Sequence, residues 1–325
     1  MMLSPPRFWH TPHSPLATLL APLGIAIGAL GRLRQAVIRP YRAAIPVLCV
    51  GNVTVGGSGK TPVVMALVSL LKKKGIHPII LTRGYGGTTK APCLVDPSHK
   101  ASQVGDEPLV LAKHAPVWVS RNRANAARLA LTTQNTPQHV HCFIMDDGLQ
   151  HPYLHRDLSF LVIDSHAPFG NGRIMPAGPL RESLTFALRK ADAIVVLGTQ
   201  TLSLASTKPT FYATRHLHSD ALDAERPSIA LAAIGNPKQF FHMLKPVTRL
   251  IKTYAYPDHA ILARKRIAEH ILEAKKHNAQ LVTSEKDYVR LDEDQRHFFT
   301  PLPLSLRWRD EEQLADFLSA HLPPL

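Results

Sequence analysis

The sequence predicts an α/β protein built on a doubly wound, mainly parallel sheet, with a second, smaller α/β lobe and a membrane-associated helix at the N-terminus. Three observations predict it. Short apolar runs alternate with helical patterns from Ile45 onward. A glycine-rich turn joins the first run to the first long helical pattern, as in phosphate-binding loops. An uncharged apolar stretch at residues 15–30 precedes both and leads into Arg32, Arg34, Arg39 and Arg42.

Bulk properties set the bounds. A chain of 325 residues buries one large core or two ordinary ones. Its 45% apolar content excludes wholesale disorder. The formal charge of +14 suits an acidic partner, whether nucleic acid, anionic membrane or phosphorylated substrate, without choosing among them. Nucleic acid is disfavoured: aromatics are only 6%, and no basic stripe is interleaved with them. Cys49, Cys93 and Cys142 form no CxxC pair, so neither a zinc site nor a disulfide framework is expected, and the usage suits a reducing compartment. The 18 histidines include no HExxH spacing.

Residues 1–40 form a first unit. The stretch 15–30 is shorter than the roughly 20 apolar residues of a perpendicular span, and Pro22 and Gly24 interrupt it. A signal peptide would need a small-residue cleavage site and a mature domain beyond it, whereas the basic cluster and phosphate loop follow too soon. A buried core helix is the plain alternative. The preferred reading is a helix at the cytoplasmic face of the inner membrane, its apolar body in the acyl boundary and its arginines at anionic headgroups.

Residues 41–198 read as the nucleotide-binding and catalytic domain. A strand at 45–50 ends in Gly51-Asn52. Pro62 sits just inside the next helix, where a missing N–H costs nothing. Val63, Val64, Ala66, Leu67, Leu70 and Leu71 follow at helical spacing, and Lys72-Lys73-Lys74 and Gly75 close the helix. A second strand at 77–81 leads into Thr82-Arg83-Gly84-Tyr85-Gly86-Gly87. Further runs stand at 117–120, 142–145, 158–163 and 193–197, with a helix near 123–131 and a Pro- and Gly-rich loop at 167–183. The pattern restarts at 211–213, 229–234, 249–253 and 280–283, assigned to a smaller lobe over residues 199–325.

The chemistry centres on Thr54-Val55-Gly56-Gly57-Ser58-Gly59-Lys60-Thr61. Backbone N–H groups of such a turn point at phosphate oxygens, and the following helix adds its positive end. Lys60 reaches the β- and γ-phosphates of ATP, and the Thr61 hydroxyl ligates Mg²⁺. Thr54 stands where the strict pattern has Gly. A P-loop enzyme needs a carboxylate on a neighbouring strand for the metal; Phe143-Ile144-Met145-Asp146-Asp147-Gly148 supplies one, with Asp146 the candidate. Taken alone, Gly105-Asp106-Glu107-Pro108 is an ordinary helix start.

Together the segments resemble the lipid A 4′-kinase (tetraacyldisaccharide 4′-kinase) family. The matching pieces are Gly51-Asn52 through Thr61, Arg83-Gly84-Tyr85, Gly105-Asp106-Glu107-Pro108, Asp146-Asp147-Gly148-Leu149-Gln150-His151, His155-Arg156-Asp157, Pro176-Ala177-Gly178-Pro179-Leu180-Arg181-Glu182 and Pro257-Asp258-His259. The family tolerates a non-glycine at the Thr54 position. Leu149 stands where Phe is common and Ser183 where Pro often follows. The resemblance implies transfer of the ATP γ-phosphate to the 4′-hydroxyl of an acylated disaccharide 1-phosphate lipid. It raises Asp106 to catalytic base, working with His259, and makes Glu107 and Asp146 metal-side acids. Arg83, Arg121, Arg181 and His151 become candidates for substrate phosphate or transition-state charge. Ser284-Glu285-Lys286-Asp287 is a plausible family segment without an assigned role. No obligate protein partner is evident. Two other readings fit the loop and acids: a P-loop kinase or ligase-type ATPase acting on a small soluble acid, and a membrane-associated nucleotide switch.

Overall fold

The computed structural model describes residues 6–133 and 140–322. The first eight strands are β1 (Val47–Asn52), β2 (Pro78–Thr82), β3 (Cys93–Leu94), β4 (Val117–Val119), β5 (Cys142–Asp146), β6 (Leu158–Asp164), β7 (Ala193–Leu197) and β8 (Thr210–Leu217). Then come β9 (Ser228–Ala232), β10 (Leu250–Ala255), β11 (Gln280–Ser284), β12 (Phe299–Leu302) and β13 (Leu304–Trp308). A nine-stranded sheet runs β13-β8-β7-β6-β1-β5-β2-β4-β3, and a four-stranded sheet runs β10-β9-β11-β12. Only the outermost pairs of the large sheet, β13 on β8 and β3 on β4, are antiparallel.

Both faces of the large sheet are buried, as parallel sheets require. Along β1, Leu48 and Val50 face one core while Val47 and Cys49 face the other, and β5 and β7 alternate in the same way. The helix Lys60–Lys73 covers the first face through Val63, Val64, Leu67 and Leu71. The helix Arg123–Thr132 covers the second with Ala124, Ala126, Ala127 and Ala130. Burial raises the Cys49 thiol to about 11 and the Cys142 thiol to about 12, so both pack as small hydrophobes. Register pairs Val50 with Asp146, so β1 and β5 deliver their C-terminal ends to one edge.

The sheets do not divide at residue 198. β8, expected in the small lobe, pairs in parallel with β7 and buries Phe211 and Ala213 in the large core. A three-residue apolar run carries no signal of which sheet it joins; its pairing partner decides. After the small sheet, β13 and the helix Glu311–His321 return to the large core, where Leu314 and Leu318 are buried. The chain therefore crosses between sheets twice.

The N-terminal helix spans Pro15–Val37, longer than the apolar stretch suggested, and runs through Pro22 without ending. Ser14 caps its start by accepting from the Ala17 N–H. Ala17, Gly24 and Gly28 form its buried side. Gly24 is needed there, because a Cβ would lie 2.5 Å from the Ile174 carbonyl oxygen of the 167–183 loop. Leu19, Ile25, Leu30 and Val37 are exposed on the other sides, by as much as 77% for Leu19. By length and composition the helix suffices to cross a membrane, and only 17% of its most apolar window is buried. A core helix would be mostly buried.

Candidate active site

The phosphate loop leaves β1 and is held open from below. The Asn52 side chain donates to the Thr54 carbonyl at 2.7 Å and to its hydroxyl at 3.0 Å. The Val55 N–H donates to the Pro179 carbonyl, tying the loop to the 167–183 segment. Gly59, at φ 84°, forms the N-cap of the following helix. A Cβ there would stand 2.5 Å from Leu197 Cδ1 and 2.8 Å from Arg215 Nη2, so glycine is required twice over. The Lys60 ammonium donates to Asn52 Oδ1 at 3.1 Å and lies 3.7 Å from Asp147 Oδ1.

Two consecutive carboxylates follow β5 with opposite electrostatics. Asp147 has φ 50°, a costly left-handed conformation for a non-glycine residue. One terminal nitrogen of Arg181 bridges both its oxygens, at 2.8 and 2.9 Å. Burial works against ionisation of Asp147, but Lys60 and Arg181 outweigh it and hold the carboxyl at about 2. Asp146 is buried and accepts one hydroxyl, from Thr82 at 3.3 Å, while its Oδ1 has no partner. Burial first, then the charges of Glu107 and Asp147, raise it to about 7. An orphaned, reluctant carboxylate oxygen of this kind fits a cation. Thr61, whose hydroxyl donates to Glu107 Oε1 at 3.2 Å, and Glu107 itself complete the donor set. Among the described residues no three His, Cys, Asp or Glu side chains form a cage. Mg²⁺ does not require one, since it takes one or two carboxylates together with phosphate oxygens and water.

Across the cleft, the catalytic candidates meet. His259 Nδ1 lies 2.9 Å from Asp106 Oδ2, bridging the two sheets over 153 residues of sequence. His259 has φ 59°, the second left-handed non-glycine residue of the site. Gly105 at φ 93° sets Asp106 at its helix start, and a Cβ there would strike the Tyr85 carbonyl oxygen at 2.6 Å. Asp106 Oδ1 accepts the Glu107 N–H at 2.8 Å, and Oδ2 accepts Arg290 Nε at 2.8 Å and also Arg290 Nη2. Burial would raise Asp106, but the His259 hydrogen bond and Arg290 hold it well below the usual carboxylate range. The same hydrogen bond raises His259 above its ordinary value.

The remaining candidates divide. Arg83 and Arg121 are exposed just beyond β2 and β4. His151 is buried; burial and then Arg123 and Arg156 push it down to about 3, so it is neutral. Arg181 is committed to Asp147. The sequence reading did not single out Lys286, which pairs with Glu107, or Arg290, which is also bound to Asp287 at 2.8 Å and to the Ala233 carbonyl at 2.9 Å. The one available signal was the Ser284-Glu285-Lys286-Asp287 segment. A cavity of about 150 Å³ runs between Gly57, Gly59 and Thr61 on one side and Asn236, Phe240, Met243 and Lys286 on the other.

Comparisons with known proteins point to one family. A family model described as tetraacyldisaccharide-1-P 4′-kinase matches residues 16–323. A tetraacyldisaccharide 4′-kinase of Bradyrhizobium sp. strain BTAi1 is 41% identical over 335 residues, covering 98% of this chain and 95% of that protein. One from Paramagnetospirillum magneticum is 42% identical, covering 93% and 94%. Among solved structures, LpxK from Aquifex aeolicus in complex with ATP superposes with a TM-score of 0.77 at 28% identity, covering 95% of this chain and all of that one.

Proposed function

The chain belongs to the tetraacyldisaccharide-1-P 4′-kinase family, and we propose how its own residues divide the work of that reaction. It is an ATP-dependent kinase that phosphorylates the 4′-hydroxyl of the tetraacylated disaccharide 1-phosphate in lipid A synthesis. ATP is the donor and Mg²⁺ its metal.

We propose that Asp106 and His259 accept the hydroxyl proton as a unit. The observation carrying this is their 2.9 Å hydrogen bond in the cleft between the two sheets. Asp106 is 3% exposed and saturated with donors, whereas the His259 side chain is 24% exposed, so the imidazole is the accessible end. As the 4′-oxygen bonds to the γ-phosphorus, its proton passes to this pair, and the bond from that phosphorus to the bridging oxygen breaks, its electron pair leaving with ADP. Residues 54–61 cradle the phosphates, and Lys60 moves from Asn52 to their oxygens. Thr61, Glu107 and Asp146 would hold Mg²⁺. Bound there, the ion would offset the negative charge of the phosphates. Arg181 serves as the anchor of Asp147, which in turn aligns Lys60. Arg83 and Arg121, which have no ion-pair partner among the described residues, are candidates for the lipid's phosphate, and neutral His151 is a hydrogen-bonding candidate.

We further propose that the exposed apolar side of Pro15–Val37 rests in the cytoplasmic face of the inner membrane, bringing the site to a lipid substrate. The working division then follows the sheets, with the small lobe built on β9–β12.

Phosphate transfer from labelled ATP to the disaccharide 1-phosphate lipid, compared between wild type and Asp106→Ala, tests the chemical part. Loss of turnover with ATP affinity retained is expected; unchanged turnover would remove Asp106 from the reaction. Deleting residues 1–31 and fractionating cells tests the helix: sedimentation with membranes equal to the full chain would refute it.

A further inference from the structure

The small lobe sends one cation into the nucleotide cavity. β11 ends at Ser284, whose hydroxyl accepts the Asp287 N–H at 3.2 Å and caps the turn Glu285–Tyr288. That turn aims Lys286 at Glu107 Oε1, the same oxygen that takes the Thr61 hydroxyl. Lys286 also lines the cavity beside Gly57, Gly59 and Thr61. Lys286 thus reaches the phosphate loop from the small lobe, whereas Lys60 belongs to the loop's own helix and is bound to Asn52.

We propose that Lys286 is a nucleotide-contacting residue supplied by the small lobe: with Mg·ATP in the cavity its ammonium leaves Glu107 and binds the terminal phosphate oxygens. The exchange follows from charge. A divalent cation on the Thr61–Glu107 side takes the oxygen that Lys286 holds and repels the ammonium. Phosphates drawn to the N-terminus of the helix Lys60–Lys73 would then offer it replacement oxygens across the same cavity. A flexible ammonium makes charge-assisted hydrogen bonds to them without a fixed geometry. The proposal rests on the reading above that Thr61 and Glu107 stand on the metal side.

The full-length protein carrying Lys286→Met or Lys286→Arg tests it by calorimetric titration with Mg·ATP and Mg·ADP. Losing the contact weakens Mg·ATP binding in Lys286→Met roughly ten- to a hundred-fold. Mg·ADP binding weakens less, and Lys286→Arg recovers most of the loss. Without nucleotide, Mn²⁺ binding followed by electron paramagnetic resonance is at least as tight in Lys286→Met as in wild type, because the competing ammonium is gone. A lowered melting temperature with an unchanged ATP-to-ADP affinity ratio would make Lys286 a tether between lobes and overturn the proposal. Glu107→Gln separates the underlying reading. If it leaves Mn²⁺ binding untouched, the metal assignment fails, while the affinity ratio of Lys286→Met still decides the phosphate contact.

Discussion

The floor of the cleft, at the ends of β1 and β5, and its roof, at the ends of β9 and β11, hold their charges differently. On the floor, Lys60, Asp147 and Arg181 satisfy one another within the large lobe. On the roof, Arg290 is anchored locally by Asp287 and Ala233, but its other bonds go to Asp106 across the cleft. His259 and Lys286 likewise find their carboxylates on the opposite lobe. The phosphate-binding half is thus built within one lobe, whereas the proton-accepting half exists only where two lobes meet.

The sharpest break in this comparison comes from the acceptor pair. Asp106→Asn keeps the shape but removes the charge, and kcat should fall about 10²- to 10⁴-fold while Mg·ATP affinity stays within a few-fold. An equal fall in both would move Asp106 from proton transfer to nucleotide binding. Next comes Arg290→Met, which strands a buried carboxylate. We expect a stability loss of about 3–5 kcal/mol, read by denaturant melts. The Arg290 charge lowers both Asp106 and the accessible imidazole of His259, so both rise in this variant. The acidic limb of the kcat/KM profile should therefore move to higher pH. A limb that stays in place would mean Arg290 has no influence on the pair.

The same contrast explains what could be read in the sequence. The loop from Thr54 to Thr61 and the acids after β5 lie beside their own strands, so a strand–loop–helix pattern located them. Asp106 alone was an ordinary helix start; only resemblance to a family linked it with His259. Arg290 escaped altogether, because its partner lies 184 residues away and nothing local marks a basic residue after a short turn. The fold was legible because β1, β5 and β7 are short continuous apolar runs, as strands buried on both faces are. The fate of β8 was not, since pairing is decided by neighbours distant in sequence. Pro22 and Gly24 read as helix breakers, yet Gly24 makes room for Ile174 and the helix continues.

Within the floor, Asp146 and Asp147 set a test of sign. Asp146 sits at about 7, so in the metal-free protein the folded state keeps a proton that the unfolded chain releases near pH 4. Stability therefore falls as pH rises from about 4 to about 7, and the full penalty applies above that. Asp146→Asn should stabilise the metal-free protein at pH 8 by on the order of a few kcal/mol, and much less at pH 4. Asp147, held at about 2, behaves oppositely: its contribution is present above pH 4 and lost as pH falls toward 2. Asp147→Asn should destabilise at neutral pH by on the order of 1 kcal/mol, since its side chain is a third exposed and solvent screens the pair. Thermal melts of both variants across pH decide it; shifts of the same sign would undo the assignment.

The mildest test lies where roof and floor touch through backbone. A Cβ on Gly235 would lie 3.1 Å from the Gly57 nitrogen and 3.3 Å from its Cα, so the phosphate loop would have to give by a few tenths of an ångström. Gly235→Ala gains about 0.4–1 kcal/mol through the unfolded chain. It loses about 1–3 kcal/mol by crowding if the loop cannot yield. The floor is tied by Asn52 and by Pro179, but no hydrogen bond from the Gly57 N–H appears among the described residues, so the loop tip has room to move. A net loss of about 1 kcal/mol or less, with ATP affinity reduced a few-fold, is the expected outcome. A loss above about 3 kcal/mol would mean that roof and floor are as tightly packed here as a single core, and the distinction between a self-sufficient floor and a dependent roof would not hold at this contact.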